Sequence, residues 1–95
     1  MTTIRTVAII GAGQMGAGIA QTVAAGGYTV RLYDASSERP PLAQAAIAAT
    51  LARQVEREIT AQAEADAIMG RISIAADLAE VGASDLIIEA AVEDE

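Results

Sequence analysis

The segment VAIIGAGQMGAGIA, residues 7–20, places glycines where an apolar run gives way to a helical pattern. Residues 4–10 form a short, β-branched apolar run, which predicts a buried strand. From Gln14 to Ala25 the apolar residues recur at helical spacing, and Gly26 and Gly27 supply a stop signal. Because glycine destabilises both helices and strands, this concentration indicates a turn whose backbone must approach another group closely.

Three glycines of this turn, Gly11, Gly13 and Gly16, have the G-x-G-x-x-G spacing of a dinucleotide-binding turn. Gly11 permits a tight exit from the strand, and Gly16 lets the helix pack close to the sheet. Gly13 lets a pyrophosphate approach backbone N–H groups at the helix N-terminus, where the helix dipole favours an anion. The predicted cofactor site includes the whole turn: Gly11, Ala12, Gly13, Gln14, Met15 and Gly16.

An acidic residue about 20 positions after the last glycine completes the motif. Asp34 meets this expectation because it closes YTVRLYD, residues 28–34, which reads as the second strand. Its carboxylate is expected to accept hydrogen bonds from both hydroxyls of the adenosine ribose and to repel the 2′-phosphate of NADP. The site should therefore prefer NAD to NADP, although the cationic Arg39 follows shortly after Asp34.

Two further helices are predicted before the third strand. The first spans residues 42–59, with Pro40 and Pro41 in its first turn and Ser36 or Ser37 as its N-cap. The second spans residues 61–69, with Thr60 as its N-cap.

Two more strands are predicted over residues 71–75 and 86–91, with a helical turn from Asp77 to Val81 between them. Strands that alternate with helices predict a parallel sheet with right-handed crossovers. The expected fold class is α/β: a Rossmann-type sheet of order 3-2-1-4, with helices on both faces, truncated after the fourth strand. Residues 1–95 are interpreted as one NAD-binding domain.

The composition excludes several classes of site and partner. Cys and His are absent, so no disulfide and no metal site is expected, and the usual general base is missing. Thirteen acidic residues against six basic ones give a net charge of −7, which argues against nucleic acid or an anionic membrane as partner. The chain has no signal-peptide pattern and no run of about 20 apolar residues, which is typical of a cytoplasmic protein.

Four stretches together resemble the N-terminal domain of the 3-hydroxyacyl-CoA dehydrogenases. They are GAGQMGAGIAQ, LYD, the T-A-x-x-E-A-D pattern that begins at Thr60, and DLIIEAAVED. The resemblance covers essentially the whole chain. It implies the NAD-binding part of a longer enzyme of fatty acid metabolism, which oxidises an L-3-hydroxyacyl-CoA to the 3-oxoacyl-CoA with NAD.

The resemblance also implies roles for particular residues. In the family, a Glu in an Ala-Val-Glu run lies beside the nicotinamide ribose, and the matching residues here are Ala91, Val92 and Glu93. Asp94 stands where the family has Asn. A Ser and a Lys on the family's long helix contact coenzyme A, and they correspond to Thr50 and Arg57. The family's His–Glu pair lies in a later segment, so no catalytic residue is assigned and this chain is expected to bind NAD without turnover.

Two other functions remain open: a free-standing NAD-binding sensor or interaction module, and the cofactor half of another oxidoreductase such as a flavoprotein. The strand order also bears on assembly. Residues 86–91 should pair with the first strand on one side and with a fifth strand beyond Glu95 on the other. An open apolar edge is a template for another chain, so we expect a homo-oligomer.

Overall fold

The computed structural model describes residues 3–90, which form a four-stranded parallel sheet with helices. The strands are β1 (Thr6–Ile10), β2 (Thr29–Tyr33), β3 (Ile72–Ile74) and β4 (Leu86–Glu89). The helices are α1 (Gln14–Ala25), α2 (Arg39–Glu56), α3 (Gln62–Gly70) and α4 (Leu78–Gly82). The pairings are parallel and give the order β3-β2-β1-β4, which confirms the predicted sheet.

Aliphatic side chains on one face of the sheet form the main core, together with α1, α2 and α3. Its most buried large members, each at most 2% exposed, are Val7, Ile9, Val30, Leu32, Ile47 and Leu51. Successive strand residues point to opposite faces, and Ala8 packs on the other face with Ala75 and with Val81 of α4. Helices therefore cover both faces, as the sequence predicts.

The turn between β1 and α1 brings the helix directly against the strand end. A Cβ built on Gly16 would overlap the carbonyl oxygen of Gly11 and lie 2.9 Å from its carbonyl carbon. Backbone atoms cannot move aside as a flexible side chain can, so a residue larger than glycine does not fit. Gly11 has a φ of 107°, in the region that favours glycine. The spacing of these two glycines is therefore a steric requirement of the fold itself.

The predicted caps at the start of α2 are wrong. The N-cap of α2 is Glu38, and it makes no side-chain cap hydrogen bond; residues 40–41, the two prolines, do lie in the first turn. Ser36 is held differently, because its N–H donates to Oδ1 of Asp34 at 2.8 Å. This local turn carries the chain past Ser36 and Ser37 before the helix begins.

The predicted boundary between α2 and α3 is also wrong. α2 ends earlier than residue 59 because Glu58 adopts a φ of 59°, and the Ile59 N–H closes the end by donating to the Gln54 carbonyl at 2.8 Å. Ile59 is 69% exposed rather than part of the apolar edge. Thr60 does not cap α3, since its hydroxyl donates to Oε1 of Gln54 at 2.9 Å, and Ala61 is the N-cap.

A carboxylate joins β4 to the start of β1. Oδ2 of Asp85 accepts from the N–H groups of Arg5 at 2.9 Å and Thr6 at 3.0 Å, and the Asp85 N–H donates to the Thr6 carbonyl at 2.9 Å. The N–H donations from Arg5 and Thr6 lower the pKa of Asp85 from its ordinary value. The ionised side chain thus stabilises the pairing of β1 with β4 at their amino ends.

Substitution of Gly16 by Ala is expected to lower the free energy of unfolding by about 1–3 kcal/mol, or to prevent folding, because the new methyl overlaps backbone. Gly18→Ala is the matched control in the same helix, since a Cβ there meets no atom within 4 Å. That control should raise the free energy of unfolding by about 0.5–1 kcal/mol. Urea denaturation measures both, and equal midpoints for Gly16→Ala and the unchanged chain would contradict the steric argument.

Acid is expected to weaken the fold through Asp85. Because its pKa is lower in the folded state, its stabilising contribution is present above the unfolded value, near 3.8, and is lost as the pH falls through the folded value. Asp85→Asn should therefore destabilise the chain at pH 7, with a difference that shrinks as the pH falls below 3.8. Urea midpoints across this pH range test the prediction.

Asp66→Asn is the control for this series, because the Asp66 carboxylate accepts from the side chain of Gln62 rather than from two backbone N–H groups. Its effect at pH 7 should be the smaller of the two. A difference between Asp85→Asn and the unchanged chain that stays constant with pH would show that the charge of Asp85 contributes nothing.

Candidate functional site

A cavity of about 400 Å³ opens at the carboxyl ends of the strands, in front of the N-terminus of α1. Its walls are strand ends, the glycine turn and the start of α2: Ile10, Gly11, Gly13, Gln14, Met15, Tyr33, Asp34, Ala35, Arg39 and Ala90. The strand order reverses direction between β1 and β4 at this place. Open α/β sheets bind ligands outside the carboxyl ends of their strands at such a switch point, so the cavity is the candidate site.

The N-terminus of α1 supplies hydrogen-bond donors to this cavity. Gly13 is its N-cap and makes no side-chain cap hydrogen bond, and the Ala17 N–H donates to the Gly13 carbonyl at 2.9 Å. The N–H groups of Gln14 and Met15 have no acceptor within the helix because they lie in its first turn. A Cβ on Gly13 would meet no atom within 4 Å. Open space therefore lies beside the positive end of the helix dipole, which suits a phosphate.

The carboxylate of Asp34 joins the two turns that border the cavity. Oδ2 accepts from the N–H of Ala12 at 2.8 Å, and Oδ1 accepts from the N–H of Ser36 at 2.8 Å. Partial burial raises the pKa of Asp34, but the two N–H donations and the charge of Arg39 outweigh it, so the pKa is lowered from its ordinary value. The side chain is therefore an anion at neutral pH.

Arg39 places a cation beside this anion. Its Nη1 lies 3.9 Å from Oδ2 of Asp34, and its side chain is 62% exposed, whereas that of Asp34 is 11% exposed. Arg39 is the first residue of α2, and both side chains line the cavity. The part of the cavity wall that follows β2 in the chain therefore carries two charges. The negative charge of Asp34 is fixed, and the positive charge of Arg39 is on a solvated side chain.

The structure brings most of the predicted cofactor residues together. Those that line the cavity are Gly11, Gly13, Gln14, Met15 and Asp34. Ala12 is 4% exposed and contributes its N–H to Asp34, while Gly16 packs against Gly11. Ala91, Val92 and Glu93 lie outside the described residues.

Sequence reasoning did not assign five residues of the cavity wall to the site: Ile10, Tyr33, Ala35, Arg39 and Ala90. Ile10 and Tyr33 end β1 and β2, and Ala90 directly follows β4. Ala35 lies in the turn after β2, and Arg39 begins α2. The predicted strand order contained the signal, because parallel strands that are neighbours in a sheet end at the same edge.

The two residues predicted to contact coenzyme A lie apart on α2. Thr50 borders a second cavity of about 240 Å³ between α1 and α2, which Gln14 also lines. The Thr50 hydroxyl donates to the Ala46 carbonyl at 3.0 Å and accepts from Nη2 of Arg53 at 3.3 Å. Arg57 is the C-cap of α2, roughly 10 Å further along the helix axis. Thr50 thus borders a cavity that shares Gln14 with the candidate site, and Arg57 lines neither cavity.

Residues 3–90 contain neither a membrane-spanning helix nor a metal-binding cluster. Within this range no helix is long and apolar enough to cross a membrane. The same residues contain no cluster of three or more acidic side chains that could hold a metal ion.

Comparison with known families and sequences gives a consistent result. The family model described as the NAD binding domain of 3-hydroxyacyl-CoA dehydrogenase matches residues 6–95. The chain is 41% identical over 92 residues to the 3-hydroxybutyryl-CoA dehydrogenase of Bradyrhizobium diazoefficiens, and 39% identical over 90 residues to a probable 3-hydroxybutyryl-CoA dehydrogenase of Bacillus subtilis. These alignments cover 97% and 95% of this chain and 31% of each relative, so the chain spans about a third of their length.

Solved structures agree with the sequence comparison. The chain matches the 3-hydroxybutyryl-CoA dehydrogenase of Escherichia coli K12 with a TM-score of 0.91 and 39% identity, over 98% of this chain and 20% of that one. For the (S)-3-hydroxybutyryl-CoA dehydrogenase PaaH1 of Ralstonia eutropha the TM-score is 0.90 at 36% identity, over 98% and 33% of the two chains. The Rossmann-type fold and NAD as the cofactor are confirmed. The chain belongs to the 3-hydroxyacyl-CoA dehydrogenase family, whose NAD-binding domain it carries.

Proposed function

We propose that this chain is the cofactor-binding part of an enzyme that oxidises L-3-hydroxyacyl-CoA to 3-oxoacyl-CoA, and that it binds NAD in the cavity in front of α1. One observation carries the proposal: open space at Gly13, the first N–H groups of α1 and the carboxylate of Asp34 border a single cavity. A dinucleotide needs these features together, because its pyrophosphate and its adenosine ribose are recognised by different groups.

The pyrophosphate is assigned to the space beside Gly13, within reach of the N–H groups of Gln14 and Met15. The net charge of −7 opposes anion binding at long range. Short-range donors and the helix dipole must therefore supply the attraction.

The adenosine ribose is assigned to Asp34. An ionised carboxylate offers about four acceptor positions, and the N–H groups of Ala12 and Ser36 occupy two of them. The remaining positions suit the two ribose hydroxyls. Asp34 can therefore bind the ribose without releasing either turn.

Ala90 lines the cavity, and the nicotinamide end is assigned to the residues that follow it in the chain. Ala91, Val92 and Glu93 are proposed to contact the nicotinamide ribose. NAD supplies the hydride acceptor for oxidation of the substrate hydroxyl. The chain contains no His to take the hydroxyl proton, so we propose that the 95 residues alone bind NAD without turnover.

The acyl-CoA substrate of the longer enzyme is assigned to α2, at Thr50 and Arg57. Arg53 donates to Thr50, and Arg57 lies one turn beyond Arg53. Two guanidinium groups of like charge on successive turns are unfavourable for a helix alone. Their presence in an acidic chain supports an anionic partner at this helix.

Isothermal titration calorimetry with NAD tests the placement. Gly13→Val should abolish binding while the fold is retained, because its side chain would occupy open space rather than meet protein atoms. Gly70→Val, at the end of α3 and also in open space, is the matched control and should bind like the unchanged chain. Asp34→Ala should weaken NAD about 10- to 150-fold, the loss expected for a hydrogen bond to a charged group.

Three results would count against the proposal. They are undiminished NAD affinity in Gly13→Val, no NAD binding by the folded, unchanged chain, and a flavin spectrum in the purified protein. Turnover of acetoacetyl-CoA with NADH by the 95 residues would contradict the assignment of the proton acceptor to a His elsewhere.

We also propose that the chain self-associates through β4. Among residues 3–90, β4 pairs with β1 and with no other strand, so one edge presents unpaired N–H and C=O groups. Leu86 and Ile87 are 42% and 47% exposed beside that edge. Glu89 is the charged residue of the strand that opposes pairing.

Sedimentation equilibrium should show a mass above 9.7 kDa that rises with protein concentration, and with salt as the charge repulsion between copies is screened. Ile87→Lys should restore the monomer, because it places a charge beside the edge. Ile59→Lys, at a 69% exposed position after α2, should leave association unchanged. A monomer at high concentration of the unchanged chain would overturn this proposal.

A further inference from the structure

The wall of the cavity beyond β2 contains a charge that the proposed function does not use. Arg39 lines the cavity with Asp34, and its Nη1 is 3.9 Å from Oδ2 of that carboxylate. An exposed ion pair of this length contributes little to stability. Because Arg39 lies beside the assigned ribose site, its charge can act on a bound ligand instead.

We propose that Arg39 sets how strongly this site distinguishes NAD from NADP, by attracting the 2′-phosphate that Asp34 repels. The inference rests on the proposed function, since it assumes that the adenosine ribose lies against Asp34. It concerns the ratio of the two affinities rather than the binding of NAD itself.

The distances support this role. A ribose hydroxyl bound to a carboxylate oxygen lies about 2.7 Å from it, and a phosphate on that hydroxyl therefore lies within a few ångströms of the Arg39 guanidinium. The Arg39 side chain is 62% exposed, so it is free to turn toward the phosphate. A planar guanidinium matches two phosphate oxygens at once.

The two side chains differ in how freely they can respond. Asp34 is held by the N–H groups of Ala12 and Ser36, each at 2.8 Å, and cannot turn away from a 2′-phosphate. Its repulsion is therefore fixed, whereas Arg39 can add a compensating attraction. The preference for NAD is the difference between these two effects.

Removal of the carboxylate should consequently reverse the preference. In Asp34→Ala the N–H groups of Ala12 and Ser36 lose their acceptor, and they then lie beside an unopposed Arg39. Two donors and a guanidinium at the ribose suit a phosphate. Asp34→Ala should thus bind NADP more tightly than NAD, and the reversal should require Arg39.

The experiment is a double-mutant cycle on the 95-residue chain, with the affinities for NAD and NADP measured by calorimetry for the unchanged chain, Arg39→Gln, Asp34→Ala and the double variant. Arg39→Gln should leave NAD within about twofold and weaken NADP about 5- to 50-fold, an effect between those of an exposed pair and a full charge-assisted hydrogen bond. The double variant should lose the preference for NADP. If NADP binds the unchanged chain too weakly to measure, the Asp34→Ala background gives the same comparison.

Arg5→Gln is the control, because it removes the same charge from an exposed residue before β1, at the opposite end of the sheet. It should leave the ratio of the two affinities unchanged. Added salt should weaken NADP binding more in the Asp34→Ala variant than in the double variant, since the guanidinium attraction is screened.

Two outcomes would overturn the inference while NAD binding stands. Equal weakening of NAD and NADP in Arg39→Gln would show that Arg39 packs on the adenine, and an unchanged NADP affinity would show that it does not reach the phosphate. Absence of NAD binding by the unchanged chain would instead refute the proposed function, and the inference with it.

Discussion

The close approach of α1 to the end of β1 is the constraint on which the site depends. Gly16 lies so near the Gly11 carbonyl that no side chain fits between them, and the Gly11 N–H donates to the Tyr33 carbonyl at 2.8 Å. These contacts fix the first turn of α1 against both central strands. The N–H groups of that turn then lie at the carboxyl edge of the sheet, where the cavity opens.

The carboxylate of Asp34 extends this constraint from one turn to two. It accepts an N–H from the β1–α1 turn and another from the turn that leads into α2. The position of Arg39 follows from that second turn, because α2 begins there. The close packing at Gly16 thus determines where the N–H donors of α1 lie. The Asp34 carboxylate determines where Asp34 and Arg39 lie relative to those donors.

The sequence predicted the parts of the fold that depend on local pattern. The β-branched runs predicted the strands because such residues favour extended backbone, and the glycine spacing predicted the start of α1 because only glycine fits where the helix meets the strand end. The strand order followed from the Rossmann topology that this glycine motif indicates. Ser36 and Thr60 were predicted as caps and are not, since each satisfies a different partner, Asp34 and Gln54. Tyr33 and Ala90 became part of the cavity wall through strand pairing, and the 3.9 Å distance from Arg39 to Asp34 depends on a turn whose shape the sequence pattern does not specify.

The hydrogen bond from Ala12 to Asp34 also bears on the entropy of ligand binding. Fixing the backbone of one residue costs about 1–2 kcal/mol, and this cost opposes binding wherever the ligand itself has to order the loop. Here protein groups hold the loop, because the Gly11 N–H donates to the Tyr33 carbonyl and the Ala12 N–H donates to the Asp34 carboxylate. The entropy cost of ordering this loop is therefore part of the free energy of folding. The free energy of dinucleotide binding does not include it.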